Sequence, residues 1–389
     1  MQQKTGGLDV EALLRYMVKT QASDLFVTAG VAPALKRNGR LENLTPTALS
    51  PEQARRMVFS TMSPRAKEEF EARQEANFAL NLPDIGRFRV NVFQQQNNVG
   101  MVVRRINTRI PTIDELHLPA TLKLLAMTRR GLILFVGATG AGKSTSLAAM
   151  VGYRNHNTSG HIVTIEEPIE FVHSHAGCII TQREVGIDTQ SYEAGLKNAL
   201  RQAPDVILIG EIRTREAMEH AMAFSETGHT CLSTLHSTNA HQALERILSF
   251  FPEERLKQLC MDLSMNLKAI VAQRLVPAKG GKGFVPAVEV LVNTPRMADL
   301  IRTAQFHEVK DLMAKSESQG MRTFDSALYE LFCGGKISYE DAIAFADSEN
   351  EVRLMIKLNK NIGEPGQYEG ALDGVKLEEY ENSTDHFIG

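Results

Sequence analysis

Apolar and polar positions in the first part of the chain follow two different periods, one helical and one extended. Apolar residues recur at helical spacing over residues 8–20, and the pair Ser50 and Pro51 is typical of the start of a second helix. Segments typical of strands lie at 24–28, 77–81, 87–93 and 99–106, and the last three form a period-two series. This pattern predicts a small α+β domain built on an antiparallel sheet.

From residue 132 onwards, apolar runs alternate with segments of helical period. Strands are predicted near 132–136, 161–166, 178–182, 206–210 and 230–235. Helices are predicted near 143–153, 191–202, 214–226 and 239–249. Because strands that alternate with helices are typical of crossover units, we expect a mainly parallel sheet with helices on its faces.

The last third of the chain is predicted to be mostly α-helical. Helical spacing recurs at 255–275, 296–314, 322–333 and 338–346. The predicted divisions are an N-terminal domain over 1–106, a proline-marked linker over 107–120, an α/β domain with its helical part over 121–357, and a tail over 358–389. Residues 361–389 hold seven acidic side chains against one basic one, with few apolar residues, so we expect this tail to be disordered.

Composition narrows the class of protein. A chain of 389 residues is too long for one ordinary core, and it holds no run of 18 apolar residues. The start lacks the layout of a signal peptide, so we expect a cytosolic protein without a transmembrane segment. A net charge of −3 gives no global attraction to nucleic acid, and the four widely separated cysteines form no zinc-binding pair.

A glycine-rich turn joins the apolar run that begins at Leu132 to the following helix. Residues 137–144 fit the pattern G-x-x-x-x-G-K-[ST], in which backbone N–H groups surround phosphates and the lysine reaches the β and γ oxygens. The hydroxyl of the last residue holds Mg²⁺. The predicted ATP-binding residues are Gly137, Thr139, Gly140, Ala141, Gly142, Lys143, Ser144 and Thr145, with Ser144 also a predicted Mg²⁺ ligand.

Carboxylates follow two of the predicted strands. The run at 205–211 ends in Glu211, where nucleoside triphosphatases place the acid that acts on Mg²⁺, directly or through water. The strand near 161–166 leads into Glu166, Glu167 and Glu170, any of which would be placed to orient an attacking water. The spacing alone does not choose among these three.

Histidines and arginines supply further candidate residues. His229 and His236 flank one predicted strand seven residues apart, so they lie on opposite faces and cannot both ligate one metal within it. One of them would be able to sense the γ-phosphate. Four arginines crowd two N-terminal strands, and in a ring of subunits one of them would be able to reach the neighbour's nucleotide. These are Arg87, Arg89, Arg104 and Arg105.

Taken together, these motifs resemble those of the secretion ATPases that power pilus and type II export machines. Four elements occur in the family's order: the glycine loop at 137–145, the acidic segment at 164–170, the strand end at 209–211 and the histidine segment. Within that family the chain is most similar to the type IV pilus retraction ATPases of the PilT/PilU kind. Segments 22–25, 86–90 and 181–184 also match, and the resemblance covers roughly residues 8–357.

The resemblance implies a hexameric ring whose subunits pair a PAS-like N-terminal α+β domain with a RecA-like ATPase domain. It implies ATP and Mg²⁺ as cofactors, with Glu170 as the catalytic carboxylate and Glu211 as the acid that acts on Mg²⁺. His229 and His236 match the histidine segment, and Arg87, Arg89 and Arg104 match arginines that such rings turn toward nucleotide. It also implies a site of action at the cytoplasmic side of the inner membrane, against the pilus platform protein.

One segment departs from the family pattern. Residues 296–303 stand where PilT-type motors have A-I-R-N-L-I-R-E, and only Leu300, Ile301 and Arg302 agree. This favours a PilU-like accessory motor that assists a PilT-type ATPase. The alternatives are a nucleotide-binding coupling subunit on the PilT ring, with secondary turnover, and a nucleic-acid translocase. The second alternative predicts salt-sensitive DNA binding, which the net charge does not favour.

Overall fold

A computed structural model describes residues 9–37, 39–106, 109–281 and 283–358. The predicted tail from 359 and residues 107 and 108 of the predicted linker lie outside these ranges. The chain divides into two compact units. Of the described residues, the first unit combines those up to 112 with 147–211, and the second combines 113–146 with those from 212 to 358.

The N-terminal part of the first unit is an α+β domain with a six-stranded antiparallel sheet. The strands lie in the order β3-β2-β1-β6-β5-β4. Its elements are α1 (Val10–Lys19), β1 (Asp24–Val27), β2 (Ala34–Arg37), β3 (Arg40–Asn43), α2 (Pro51–Ser60), α3 (Pro64–Arg73), β4 (Glu75–Leu82), β5 (Gly86–Gln95) and β6 (Asn98–Ile106). The predicted antiparallel sheet is therefore confirmed, while α3, β2 and β3 were not predicted.

Local sequence explains why these elements begin where they do. Ser50 caps α2 and forms a reciprocal pair with Gln53, and Ser63 caps α3 in the same way without the reciprocal bond. Alternate residues of β5, from Phe88 to Val92, are buried together with apolar residues of the three helices. The residues between them, including Arg87 and Arg89, lie on the other face of the sheet.

The remaining elements follow in chain order. They are α4 (Thr121–Ala126), β7 (Gly131–Val136), α5 (Lys143–Asn157), β8 (Gly160–Glu166), β9 (Cys178–Glu184), α6 (Tyr192–Ala199), β10 (Val206–Ile209), α7 (Arg215–Glu226), β11 (Thr230–Leu235), α8 (Ala240–Leu248), α9 (Glu253–Asn266), β12 (Leu267–Pro277), β13 (Phe284–Val292), α10 (Pro295–Arg302), α11 (Val309–Ala314), α12 (Phe324–Cys333), α13 (Tyr339–Ala344) and α14 (Glu349–Leu358). The predicted alternation of strands and helices is confirmed over residues 131–248.

Each unit contains some of these alternating strands and helices. In the first unit, three parallel strands lie in the order β10-β8-β9, and α6 packs on β8. In the second unit, four strands lie in the order β13-β12-β7-β11. Strands β11 and β12 run parallel to β7, whereas β13 is antiparallel to β12. The α/β class is therefore confirmed.

The prediction of a mostly helical end piece needs correction. The segment predicted as one helix over 255–275 is helical only to Asn266, and the long strand β12 begins at the next residue. Strand β13 was not predicted at all. The short apolar run at 269–272 is compatible with a buried helix or a buried strand, and pairing with β7 decides in favour of the strand. The helix predicted over 296–314 is divided, because Ala304 adopts a left-handed φ of 56° between α10 and α11.

Candidate functional site

The glycine loop between β7 and α5 has a backbone that side chains disfavour. Gly137, Gly140 and Gly142 have φ values of 149°, 81° and 85°. These values lie where L-residues are strained, so the loop needs glycine at all three positions. The result is a tight turn that leads into the first turn of a helix, where backbone N–H groups are free of intrahelical partners.

Strand β12 packs directly beneath this loop through Gln273. A Cβ on Gly137 would lie 2.5 Å from the Gln273 carbonyl oxygen, and a Cβ on Gly142 would lie 2.7 Å from Gln273 Nε2. The Gln273 Oε1 atom accepts a hydrogen bond of 2.7 Å from Ser146 Oγ. Gln273 therefore fixes the underside of the loop. Sequence reasoning missed Gln273 because its segment was predicted as a helix, although the polar pair Gln273 and Arg274 between apolar residues was a signal.

Lys143 opens α5 and is buried against the loop. Its Nζ atom donates to the Gly137 carbonyl at 2.7 Å and to the Ala138 carbonyl at 2.9 Å. The ammonium group is thus held over the turn, while Thr139 and Gly140 are exposed at its tip. Positive φ angles, a close approach by β12 and a lysine at the turn are the features that a phosphate cradle requires. The predicted ATP-binding residues therefore fit nucleotide, and Ser144 lies in the helical turn that the motif assigns to Mg²⁺.

The two histidines lie at opposite ends of β11. Leu235 pairs with Val136, the residue before the glycine loop, so His236 follows β11 at the same edge of the parallel pair as that loop. His229 precedes the strand, and its Nδ1 contacts the Phe224 carbonyl at 3.2 Å and the Thr227 hydroxyl at 3.0 Å. Seven residues of extended chain separate the two by roughly 20 Å. The structure places His236, but not His229, beside the loop of its own chain.

In the first unit, carboxylates lie at the ends of three parallel strands. Glu166 and Glu184 are paired in register at the ends of β8 and β9. Gly210 follows β10 and donates its N–H to the Ile165 carbonyl at 2.8 Å, so Glu211 comes directly after this same edge. A Cβ on Gly210 would lie 3.1 Å from Glu166 Cα, which shows how closely the two strand ends approach. The acids predicted to follow two strands therefore lie at one sheet edge, together with Glu184, which was not predicted.

The three candidate acids of the segment at 164–170 differ in their surroundings. Burial raises the pKa of Glu166 to about 7, against hydrogen bonds from Thr164 at 2.6 Å and Gln182 at 3.2 Å. The charge of Glu170 opposes ionisation of Glu166 as well. Glu167 and Glu170 are exposed. Glu166 is therefore a packed, hydrogen-bonded acid, whereas Glu170 is accessible.

Three of the four candidate arginines, Arg87, Arg89 and Arg104, share one face of the N-terminal sheet. The fourth, Arg105, follows Arg104 on β6 and therefore lies on the opposite face. Arg89 pairs in register with Arg104, and Arg87 lies two residues from Arg89 on the same strand. Arg104 Nε donates to Asp24 Oδ1 at 2.8 Å, yet its side chain is 70% exposed. Arg87 Nη2 lies 3.9 Å from Glu184 Oε2. Arg87 and Arg104 therefore face acidic partners within their own chain.

The described ranges hold neither a cluster of metal-ligating side chains nor a membrane-spanning helix. They contain no group of three or more His, Cys, Asp or Glu side chains placed to hold a metal ion. None of the helices in the part of the chain that the structure describes combines the length and apolar character needed to cross a bilayer.

Comparison with known proteins identifies relatives over most of the chain. The family described as "Type II/IV secretion system protein" matches residues 8–328. The type IV pilus ATPase PilU of Pseudomonas aeruginosa is 61% identical over 351 residues, which cover 90% of this chain and 92% of that protein. The type IV pilus retraction ATPase PilT of the same organism is 37% identical and covers 86% of this chain and 97% of that protein.

A solved structure shares the fold. The crystal structure of the pilus retraction motor PilT with bound ADP superposes with a TM-score of 0.83 at 37% identity. The match covers 88% of this chain and 98% of that chain.

Proposed function

Because this chain belongs to the type II/IV secretion system protein family, we propose that it is an ATP-hydrolysing accessory motor for type IV pilus retraction. In this role it works with a PilT-type ATPase and contributes to twitching motility. The observation that carries the proposal is the glycine loop, in which three positive-φ glycines and Lys143 form a phosphate cradle supported by β12. The similarity to PilU and PilT supports the pilus as the machine.

In the proposed reaction, ATP and Mg²⁺ bind at the loop. The N–H groups of residues 137–145 surround the phosphates, Lys143 exchanges its two carbonyl partners for phosphate oxygens, and Ser144 ligates Mg²⁺. Glu211 would hold the Mg²⁺ together with Ser144, directly or through water. Bound Mg²⁺ supplies Lewis-acid stabilisation of the transferring phosphoryl group.

Glu170 is the proposed catalytic carboxylate, because its side chain is exposed, whereas Glu166 Oε1 already accepts hydrogen bonds from Thr164 and Gln182. It orients the attacking water and accepts its proton as the bond between the γ-phosphorus and the bridging oxygen breaks, which leaves ADP and phosphate. His236 is the proposed sensor of the γ-phosphate, since it follows the strand that pairs beside the loop. His229 is proposed to act from the other end of that strand, in contact with a neighbouring subunit.

The proposed assembly is a homo-hexamer. Its N-terminal domain is interpreted as PAS-like and its ATPase domain as RecA-like. In the ring, Arg87, Arg89 and Arg104 are proposed to reach a neighbour's nucleotide, for which Arg104 has to leave Asp24. The ring is proposed to act in the cytoplasm, at the periphery of the inner membrane, against the pilus platform protein. No nucleic-acid partner is proposed.

Helix α10 supports the accessory role. Leu300 and Ile301, which agree with the PilT-type segment, are buried, and Met297, which differs, is a buried apolar residue as well. The exposed residues include Arg302, which agrees, and three that differ: Arg296, Asp299 and Thr303. The buried side of this helix therefore stays apolar while most of its exposed side is changed. We attribute the proposed dependence on a PilT-type motor to this altered surface.

The test compares Lys143→Ala with the wild type and with Lys197→Ala, an exposed lysine on α6 that serves as a matched control. We expect Lys143→Ala to lower ATPase kcat/KM by at least a hundredfold and to remove the retraction contributed beside a PilT-type motor. Lys197→Ala is expected to leave both unchanged. Undiminished ATPase activity in Lys143→Ala would refute the proposal, and full retraction without any PilT-type motor would refute its accessory part.

A further inference from the structure

Gln182 is a polar residue of β9 that the proposed catalytic scheme does not use. Its side chain is half-buried, and in the parallel pair of β8 and β9 it stands opposite Thr164. Strand β9 is the outermost strand at its end of the described sheet. The connection from β8 to β9 covers residues 167–177 and contains the proposed catalytic Glu170.

The side chain of Gln182 makes three hydrogen bonds to the chain around Glu170. Its Nε2 atom donates to Glu166 Oε1 at 3.2 Å and to the Phe171 carbonyl at 2.9 Å. Its Oε1 atom accepts from the backbone N–H of His173 at 2.8 Å. One side chain therefore joins the end of β8 to the first part of the connection that follows it.

The chemistry of these three bonds suits glutamine and excludes most other residue types. A primary amide carries two N–H donors and one acceptor oxygen on a single planar group. A carboxylate only accepts at neutral pH, while lysine and arginine only donate. Asparagine has the same amide group, but its side chain is one methylene shorter. Each polar atom of the Gln182 amide is thus matched to a partner.

Glu170 lies between two of the positions that Gln182 holds. Phe171 is the next residue, and Glu166 precedes Glu170 by four positions. Because the Glu170 side chain is exposed, the path of its backbone largely determines where its carboxylate stands. A shift of about 1 Å at a reacting group is enough to lower a rate by roughly a hundredfold. The position of Glu170 therefore depends on what holds this part of the chain.

A different residue holds the far end of the connection. Asn155 of α5 is 2% exposed, and its Oδ1 atom accepts from the N–H groups of Ala176 at 3.3 Å and Cys178 at 3.1 Å. Its Nδ2 atom donates to the Ser174 carbonyl at 2.8 Å. Residues 174–178 are thus anchored without Gln182, so the effect of losing Gln182 should be confined to the part that carries Glu170.

We propose that Gln182 is a positioning residue for ATP hydrolysis: its amide group holds the chain on both sides of Glu170 and thereby fixes where that carboxylate stands. This inference rests on the proposed function, since it assigns Glu170 the reaction. It predicts that loss of the amide slows turnover without weakening the binding of ATP, because Gln182 does not belong to the glycine loop.

The test uses Gln182→Met in the full-length protein, because methionine is similar in length and has no amide group. Gln182→Asn keeps the amide on a shorter side chain, and Gln319→Met, at an exposed glutamine of the second unit, is the matched control. Two measurements are made on each variant. They are steady-state ATPase kinetics and amide hydrogen exchange of the peptides that cover 166–173, 174–178 and 137–145. Melting curves confirm that each variant is folded.

For Gln182→Met we expect kcat to fall about tenfold while KM for ATP stays within about twofold. Exchange at 166–173 is expected to become about tenfold faster, with wild-type exchange at 174–178 and 137–145. Gln182→Asn is expected to lie between Gln182→Met and the wild type in both measurements, and Gln319→Met to match the wild type.

Wild-type kcat in Gln182→Met, or a lowered kcat with wild-type exchange at 166–173, would overturn the inference. Equally faster exchange in all three peptides would overturn it as well, because the variant would then be loosened as a whole. A wild type without ATPase activity would instead refute the proposed function, and exchange at 166–173 would still decide whether Gln182 holds the segment. If Gln182→Met does not fold, Gln182→Asn carries the test: faster exchange at 166–173 with a lowered kcat supports the inference, and wild-type values overturn it.

Discussion

Replacing Gly137 by alanine is expected to destabilise the glycine loop far more than the same change at Gly140. Both positions have positive φ, at 149° and 81°. A Cβ at Gly137 would lie 2.5 Å from the Gln273 carbonyl oxygen, a backbone atom that cannot rotate away. A Cβ at Gly140 would have no atom within 4 Å. Comparing the two variants therefore distinguishes the effect of a steric clash with β12 from the effect of backbone strain alone.

The expected losses of stability are estimated from two energies, backbone strain and steric overpacking. At Gly140, a left-handed alanine costs about 1 kcal/mol. At Gly137, strain of about 1–3 kcal/mol adds to overpacking of about 1–3 kcal/mol, for a total of roughly 4 kcal/mol. At about 2–4 °C per kcal/mol for a domain of this size, Gly137→Ala lowers the melting temperature by roughly 10 °C and Gly140→Ala by about 3 °C.

The assay is thermal unfolding of both variants in buffer without nucleotide, so that lost ligand binding does not contribute to the difference. Fluorescence and circular dichroism are followed together to check that one transition is observed. Equal melting temperatures for the two variants would refute the reasoning, because the contact between β12 and the loop would then carry no energy.

Two further predictions concern buried charges in the second unit. Burial raises the pKa of Glu289 to about 7, so its ionised form destabilises the fold and stability falls as pH rises from about 4.5 to 7. Glu289→Gln keeps the acceptor for the Ala240 N–H. Its free energy of unfolding is expected to equal that of the wild type at pH 4.5 and to exceed it by about 3 kcal/mol at pH 8. The same difference in stability at both pH values, measured by thermal unfolding, would contradict this prediction. Lys310→Met leaves Asp325, whose side chain is 2% exposed, without the ammonium 2.7 Å away. We expect Lys310→Met to lower the free energy of unfolding by about 3 kcal/mol, and the additional change Asp325→Asn to restore part of this loss. A double variant no more stable than Lys310→Met would contradict this explanation.

Local sequence was enough to predict the glycine loop and the strand β7 that precedes it. The reason is that the residue types from Gly137 to Ser144 directly indicate the backbone conformation of this segment. Glycine stands where φ is positive, and a lysine and a serine follow at the start of a helix. Alternation in β5 and β6 predicted their sheet in the same way, because period two directly reflects which face is buried.

The tertiary structure decided what depends on pairing between distant segments. The apolar run of β12 became a strand because it pairs with β7, more than a hundred residues earlier, and this alone placed Gln273 under the loop. Register likewise placed His236 beside the loop and His229 at the far end of β11. Folding also brings Glu184 to within 3.9 Å of Arg87, which lies nearly a hundred residues away in the sequence. Periodicity describes one element at a time, whereas these contacts are set by which elements pair and in which register.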